Sequence, residues 1–333
     1  MQYKIFKLRF ETPIHFGSEK VGTSLENTQV ICHSDTLFSA MCQEILKIYD
    51  EIKLLDFVDM VDDGELLFSS LLPYKDNNIF LPKPCLLLNR ETVNEEVSSS
   101  SVKKKKMKKL EYISINDFQK YLDFLKTGND FVYDEEEYKI CKSETTAKVS
   151  LSRDSDKNNI YYVGGTYFKE NCGLYVIVAY NNDEQVDFFE NILTSLSYSG
   201  IGGKRSSGYG KFEIVDEMYP DSEVGLDEEK LIYELLEADG DYQEALSVVS
   251  PNDNELESND FDNAFYQLID RNGFVYSTTY TDENTLVKRK SLSMFKEGSC
   301  FPFEIKGEIK DVSDNGNHSV YKNGKMLKIG VKL

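Results

Sequence analysis

A glycine-rich segment at residues 200–210 is the feature that most constrains the fold, because five of its eleven residues are glycines. Apolar residues recur at helical spacing over 186–196 before it, and residues 212–214 after it continue as a strand. Glycine amides can converge on an anion without side-chain obstruction, and the enclosed cations and hydroxyls supply further donors. The segment therefore predicts a phosphate-binding loop built from Gly200, Gly202, Gly203, Lys204, Arg205, Ser206 and Ser207.

Two common nucleotide-binding motifs do not fit this segment. A Walker A loop has Lys after its second spaced glycine, whereas Tyr209 follows Gly208, and a dinucleotide fingerprint needs a glycine where Arg205 stands. Both motifs also run from strand through loop to helix, which is the reverse of the order here. A nucleotide-hydrolysing site is therefore disfavoured. The remaining alternative is a simple surface connection, which would need no cluster of donors.

The net charge of −20 would argue against a polyanionic ligand if the acidic residues were evenly spread. Residues 213–270, however, hold 19 carboxylates and one base, so that the rest of the chain has a net charge of only −2. We expect the acidic stretch to lie on a face turned away from any bound polyanion, and the basic patches to lie elsewhere.

The 333 residues are enough for two domains, each with its own core. Residues 2–10 alternate as a strand with one buried face, and a helix follows from residue 34, capped by Ser34 or Asp35. A hairpin over 147–163, the helix over 186–196 and the strand from 212 complete an order that matches a ferredoxin-like (RRM-like) plait with insertions. A linker at 216–222 leads to a second, looser α+β domain, in which we expect a helix at 226–236, a strand at 245–249 and a helix at 261–269.

The chain shows no sign of a membrane span, a signal peptide or a metal site. It has no run of eighteen apolar residues, and its first ten residues alternate charged and apolar side chains. The six cysteines are scattered without a C-x-x-C pair or a histidine at ligand spacing. These observations predict a cytosolic protein with reduced thiols, no zinc and no cofactor.

The segment at 200–210, entering a final strand, resembles the signature of the RAMP superfamily of CRISPR proteins. Other motifs are similar to the Cas-five-like subunit of type III-A effector complexes, and together they extend the resemblance over nearly the whole chain. These motifs are residues 13–17, 34–40, 81–84, 161–163, 298–307 and 318–325.

The resemblance implies an α+β fold with two ferredoxin-like domains, residues 1–217 with a β-hairpin thumb and the glycine loop, and residues 218–333 as a degenerate copy. It implies a non-catalytic, RNA-binding subunit in the prokaryotic cytoplasm. Such a subunit holds the 5′ tag of the guide RNA, caps the filament of backbone RAMP subunits, bridges to the large signalling subunit, and meets target RNA indirectly. The alternative within the superfamily is a metal-independent, repeat-processing endoribonuclease.

Two residues lie where relatives of this kind carry catalytic groups. His15 lies near the position of the catalytic histidine of some RAMP endonucleases, but no partner is evident, so an RNA contact or a loop hydrogen bond is the better interpretation. Asp35 lies where backbone subunits carry the aspartate that cuts target RNA. Helix capping is favoured for Asp35, since two-metal chemistry needs a second carboxylate.

The remaining cations leave alternatives open. Arg153 ends one arm of the predicted hairpin and corresponds to the thumb, where it either contacts RNA or is simply solvated. The lysines at 103–109 form a basic loop that either adds nonspecific RNA affinity or only covers the surface, and 288–290 is a charge run for which a solvated face is favoured. Tyr161 and Tyr162 are interpreted as sheet residues.

Overall fold

The computed structural model describes residues 1–17, 25–87, 107, 109–128, 130–151, 159–221, 225–277, 279–281 and 287–333. Its helices are α1 Ser34–Ile48, α2 Glu51–Asp62, α3 Ile115–Thr127, α4 Asp183–Ser199, α5 Asp227–Glu237 and α6 Asp253–Ser258. Its strands are β1 Gln2–Phe10, β2 Phe16–Gly17, β3 Thr28–Gln29, β4 Leu66–Phe68, β5 Leu72–Lys75, β6 Asn78–Pro82, β7 Tyr112–Ser114, β8 Cys141–Ser150, β9 Asn159–Phe168, β10 Cys172–Tyr180, β11 Phe212–Met218, β12 Tyr242–Ala245, β13 Leu268–Arg271, β14 Leu292–Phe295, β15 Cys300–Phe301, β16 Ile309–Asp311, β17 Tyr321–Asn323 and β18 Lys328–Val331.

The main sheet is antiparallel and runs in the order β11, β1, β10, β5, β6 and β7, with β4 also paired to β10. The strands β1 and β10 pair over seven residues, from Gln2 opposite Tyr180 to Leu8 opposite Leu174. Because every residue of β10 is buried, this strand forms the centre of the molecule. The protein therefore has a mixed α/β fold built on antiparallel sheets.

Both faces of β1 are covered, whereas the alternating sequence predicts only one buried face. Phe6 and Leu8 pack with α1, α2 and α4 on one face, and Ile5 packs on the other face with α3 and the C-terminal strands. The prediction was wrong because α3 and the C-terminal strands cover the second face, where Lys7 is buried in an ion pair with Asp216 of β11. Lys4, on the same face as Phe6, is also buried and pairs with Glu217 of β11.

The C-terminal residues 218–333 form several small sheets that pack against the main sheet. Strands β15, β12 and β18 make one of them, and residues of α5 and β18 pack into the same core as α3. The predicted helix at 226–236 is confirmed as α5, but the predicted helix at 261–269 is wrong. That stretch contains a short 3₁₀ turn and β13, because Phe261 is held by the rings of Phe295, Phe301 and Phe303, and Ile269 pairs with β14.

The predicted hairpin is present as β8 and β9, which pair over ten residues from Cys141 opposite Phe168 to Ser150 opposite Asn159. Most of β8 is exposed, so the hairpin projects from the body of the protein. Arg153 and most of the lysine tract at 103–109 lie outside the described residues. Of the helices in the described ranges, none has the length and apolar character that crossing a membrane requires.

Candidate functional site

The glycines of residues 200–210 allow close packing of backbone against backbone. A Cβ atom at Gly210, whose φ is +79°, would lie 2.0 Å from the carbonyl oxygen of Ile201, and a Cβ at Gly203 would lie 2.8 Å from Cδ2 of His15. The amide of Gly203 donates to the carbonyl of His15 at 2.8 Å, and the amide of Gly200 donates to Leu196 at the end of α4. The amides of Gly200 and Gly203 are therefore occupied by internal hydrogen bonds that hold the loop in shape.

The cations of the loop lie over tyrosine rings from other parts of the chain. Lys204 Nζ is 5.5 Å from the centre of the Tyr161 ring in β9, and Arg205 Cζ is 5.2 Å from that of Tyr276 in the C-terminal region. Both distances are in the range of cation–π attraction. Lys148, directly opposite Tyr161 in the hairpin, lies 4.9 Å from the ring of Tyr209. We call this surface the cation–tyrosine strip: Lys148, Tyr161, Lys204, Arg205, Tyr209 and Tyr276.

Two serine hydroxyls lie beside the cation–tyrosine strip. Ser206 and Ser207 are exposed in a short 3₁₀ turn that begins after Lys204, whose φ of +60° is left-handed. Tyr276 is 76% exposed, so most of its ring is open to solvent beside Arg205. Arg205 also donates to the side-chain oxygen of Gln43 on α1, at 3.3 Å.

His15 lies under the glycine loop and is 5% exposed. Its Nδ1 is 2.9 Å from the carbonyl oxygen of Gly164 in β9, and since a carbonyl only accepts, Nδ1 is the donor. The loop hydrogen bond predicted as one alternative is therefore present. The ring also lines the pocket described next, so that an RNA contact through its other edge stays a prediction.

A pocket with a volume of about 270 Å³ opens beside the loop, between residues of the N-terminal and C-terminal regions. Its N-terminal wall includes His15, Gly202, Gly203, Arg205 and the start of α1. Its C-terminal wall consists of Arg271, Tyr276, Arg289 and Lys322. We call this cavity the charged pocket.

Asp35 holds the two walls of the charged pocket together. Its carboxylate is fully buried and accepts from Arg271 in bidentate geometry, at 2.8 and 3.1 Å, and from Lys322 Nζ at 2.7 Å. Burial alone would raise the pKa of Asp35, but Arg271 and Lys322 outweigh it and hold that pKa well below its ordinary value. The N-cap of α1 is His33, without a side-chain cap, so the prediction that Ser34 or Asp35 caps the helix was wrong.

Long-range partners are the physical reason for this difference. The hydroxyl of Ser34 accepts from the amide of Val248, and the amide of Ser34 donates to Ser70. His33 Nδ1 lies 2.8 Å from Oε1 of the buried Glu297. His33, Ser34 and Asp35 are thus each bound to a distant segment, and these contacts override the local capping preference.

Sequence reasoning missed the C-terminal wall. Arg271 sits in no local motif, and Lys322 falls within the motif at 318–325 without being singled out as a site residue. The role of both depends on contacts across more than 200 positions. The charge run at 288–290 indicated one residue of this wall. Arg289 lines the pocket, whereas Lys288 and Lys290 are exposed. Tyr161 does lie in a strand, as predicted, but its ring also faces Lys204.

Comparison with known proteins agrees with this architecture. The family model of the RAMP superfamily matches residues 7–213, and the chain therefore belongs to that superfamily. Residues 238–331 match the model of the CRISPR Csm4 C-terminal domain. The resemblance predicted from the sequence motifs is thus confirmed.

Curated relatives carry the name CRISPR system Cms protein Csm4. The protein from Streptococcus thermophilus is 29% identical over 314 residues, covering 94% of this chain and 93% of the relative. That from Mycobacterium tuberculosis is 28% identical over 328 residues, covering 98% and 97%.

Solved structures share the fold. A chain of the Csm3–Csm4 subcomplex in the type III-A CRISPR-Cas interference complex aligns with a TM-score of 0.64 and 22% identity, covering 99% of both chains. A chain of the Csm1–Csm4 cassette in complex with pppApA aligns with a TM-score of 0.62 and 18% identity, covering 100% of this chain and 99% of that one.

Proposed function

We propose that this chain is a non-catalytic, RNA-binding subunit of a type III-A CRISPR effector complex. It holds the 5′ tag of the guide RNA, caps the backbone filament and bridges to the large signalling subunit in the prokaryotic cytoplasm. The observation that carries the proposal is the cation–tyrosine strip, which places three cations beside tyrosine rings along one surface. Cations neutralise phosphates and aromatic rings stack on unpaired bases, which is how single-stranded RNA is usually held.

The relatives support the proposed partners. Structures of the related Csm4 chains are described as a Csm3–Csm4 subcomplex and a Csm1–Csm4 cassette. We assign one neighbour of this chain to the backbone RAMP subunit and the other to the large subunit. Target RNA is met only through its pairing with the guide, near the hairpin of β8 and β9, where Arg153 would act as part of a thumb.

The domain organisation of the proposal is supported by strand order. In residues 1–217 the order β11, β1, β10 and then β4 or β5, with α1 and α2 after β1 and α4 after β10, corresponds to a ferredoxin-like plait. The hairpin of β8 and β9 is then an insertion. We assign residues 218–333 to a second, degenerate domain of the same kind.

The absence of catalysis in the proposal rests on the two residues with catalytic counterparts in related proteins. Asp35 is fully buried and already occupied by Arg271 and Lys322, which leaves it no free oxygen to hold a metal ion against RNA. His15 donates a hydrogen bond from Nδ1 to the backbone carbonyl of Gly164, and its ring lies under the loop. Neither arrangement supplies the acid–base pair that cleavage of RNA requires.

The test of RNA binding uses the assembled complex. In Lys204→Ala with Arg205→Ala we expect lower guide RNA occupancy and a salt dependence of binding shallower by about 1.4 in log–log slope, since each phosphate contact on a single strand contributes about 0.7. Lys53→Ala with Lys139→Ala is the matched control, because both lysines are exposed, are paired with a neighbouring acid and are not part of the strip. Equal occupancy in the two double variants at elevated salt would leave the loop a purely structural element.

The ribonuclease alternative is tested separately. The purified chain is incubated with repeat RNA in the presence of a chelator. Discrete cleavage would favour a metal-independent endoribonuclease, and we expect none.

A further inference from the structure

The charged pocket contains more positive than negative charge. Its C-terminal wall brings Arg271, Arg289 and Lys322 together, and the carboxylate bound to this group is that of Asp35. Glu297, the other nearby acid, is bound to His33. Among the described residues, three cations thus face one carboxylate in a site where Lys322 is almost fully buried.

The electrostatics of Lys322 reflect this excess. The pKa of Lys322 is lowered to about 8, because burial together with the charges of Arg289 and Arg271 outweighs the opposing effect of Asp35. A buried cation cluster of this kind is stabilised by any anion that enters it, because the anion replaces lost hydration.

Arg289 has hydrogen-bonding capacity left over. Its Nη2 donates to the carbonyl of Asn272 at 2.8 Å, and its guanidinium lies against Gly273. Its Nε is buried without a hydrogen-bond partner in the described part of the chain. The guanidinium lines the pocket, so a planar donor group is available to an oxygen-rich anion there.

The rim of the pocket has the features of a nucleotide contact. Arg205 and the exposed Tyr276 lie together at its edge, one carrying charge and the other an aromatic face. The cavity of about 270 Å³ is slightly below the usual range of small-molecule sites, about 300 to 1,000 Å³. It suits one phosphate group with part of its nucleotide.

We infer that the charged pocket is a phosphate subsite in which Arg289, Lys322 and Arg271 hold one phosphate of the guide RNA, with Arg205 and Tyr276 at the rim. The assignment of RNA as the source of that phosphate rests on the proposed function. The site joins both halves of the chain, and it is separate from the outer part of the cation–tyrosine strip at Lys148, Tyr161 and Lys204.

Inorganic phosphate is the first probe. The purified full chain is heated in phosphate or in chloride at equal ionic strength. We expect saturating phosphate to raise the wild-type unfolding midpoint by roughly 2–4 °C more than chloride does. Arg289→Gln should lose most of this increment, and Lys288→Gln, which removes a neighbouring exposed charge, should keep it. An equal increment in Arg289→Gln, or none in the wild type, overturns the inference.

A second variant covers the case in which Arg289→Gln does not fold. Arg289→Lys retains the charge but loses the planar donors, and we expect it to keep only part of the phosphate increment. Full retention of the increment in a folded Arg289→Lys protein would contradict the role given to the guanidinium.

The second probe is the guide RNA in the assembled complex. Arg289→Gln should make the log–log salt dependence of guide binding shallower by about 0.7, one phosphate, relative to Lys288→Gln. An unchanged slope in Arg289→Gln, while Lys204→Ala with Arg205→Ala lowers occupancy, overturns the subsite and leaves the proposed function standing. If the double variant also has no effect, the proposed function itself fails.

Discussion

Asp35 and Arg271 form a bidentate ion pair across 236 positions of the sequence. The two contacts, 2.8 Å from Nη2 to Oδ1 and 3.1 Å from Nε to Oδ2, fix the start of α1 to the end of β13. A guanidinium and a carboxylate in this geometry match each other in shape as well as in charge. The aspartate that resembles a catalytic residue of backbone subunits is here a structural link.

Replacement of Asp35 should be costly. Asp35→Asn leaves Arg271 and Lys322 buried without their counter-charge, and we expect a loss of about 3–5 kcal/mol in the free energy of unfolding, measured with urea. The exposed pair of Asp56 and Lys53 provides the control, and Asp56→Asn should change stability by about 1 kcal/mol or less. Similar small effects at both positions would show that the buried pair contributes little.

Glu244 should make stability dependent on pH. It is fully buried in β12, both carboxylate oxygens have no hydrogen-bond partner in the described ranges, and burial raises its pKa well above the ordinary value. The charge of Glu244 would in turn raise the pKa of the titratable groups around it, which are Tyr121, Tyr175, Cys85 and Cys300.

Because the raised pKa belongs to an acid, the folded state holds a proton that the unfolded chain releases above about pH 4.3. Wild-type stability should therefore fall, relative to Glu244→Gln, by up to about 1.4 kcal/mol per pH unit as pH rises from about 5. Urea unfolding between pH 5 and 8 measures this difference. Glu244→Leu also removes this titration, so its stability should depend on pH in the same way as that of Glu244→Gln. Parallel curves for the wild type and both variants would contradict the prediction.

Two glycines of the loop should differ in their tolerance of a methyl group. Gly208 has a φ of +85° but open space around its Cβ position, so Gly208→Ala should cost only the left-handed backbone strain of about 1–2 kcal/mol. Gly210→Ala should cost distinctly more, because its methyl group would collide with the Ile201 carbonyl. The free energies of unfolding of the two variants decide the matter, and equal losses would mean that the loop shifts easily.

The two interpretations of His15 can be separated with two substitutions. His15→Ala removes the hydrogen bond to Gly164 and should lower both stability, by about 1–3 kcal/mol, and guide RNA retention in the complex. His15→Asn places an amide donor near Nδ1 and should recover stability but not retention. Recovery of both would make the residue a loop hydrogen bond only, and loss of an RNA-cleaving activity in either variant would reinstate catalysis.

The sequence predicts the N-terminal region well because its elements depend on local patterns. The β1 strand, the α1 helix, the hairpin and the α4 helix each have a clear period, and the structure contains them in the predicted order. The β13 region shows the opposite case. Phe261 and Ile269 have helical spacing, but ring packing and pairing with β14 decide their conformation.

Only part of the site could be predicted, because some of its residues depend on local patterns and others on long-range contacts. Lys204 and Arg205 stand in a recognisable glycine-rich segment, whereas Arg271 and Lys322 become part of the site only when the chain folds back. The capping preference of Asp35 is local and its ion pairs are not, and the stronger long-range interaction determined its place.

The charged pocket also links ligand binding to the closure of the chain upon itself. Its walls come from distant parts of the sequence, and the ion pairs of Asp35 with Arg271 and Lys322 join them. An anion that contacts both walls binds only when the walls are together. The factor by which the anion favours this closed state is therefore the same as the factor by which closure raises the affinity for the anion. A subunit without its ligand would then open more often than a loaded one, and protection of the β13 and β17 amides from hydrogen exchange would report that difference.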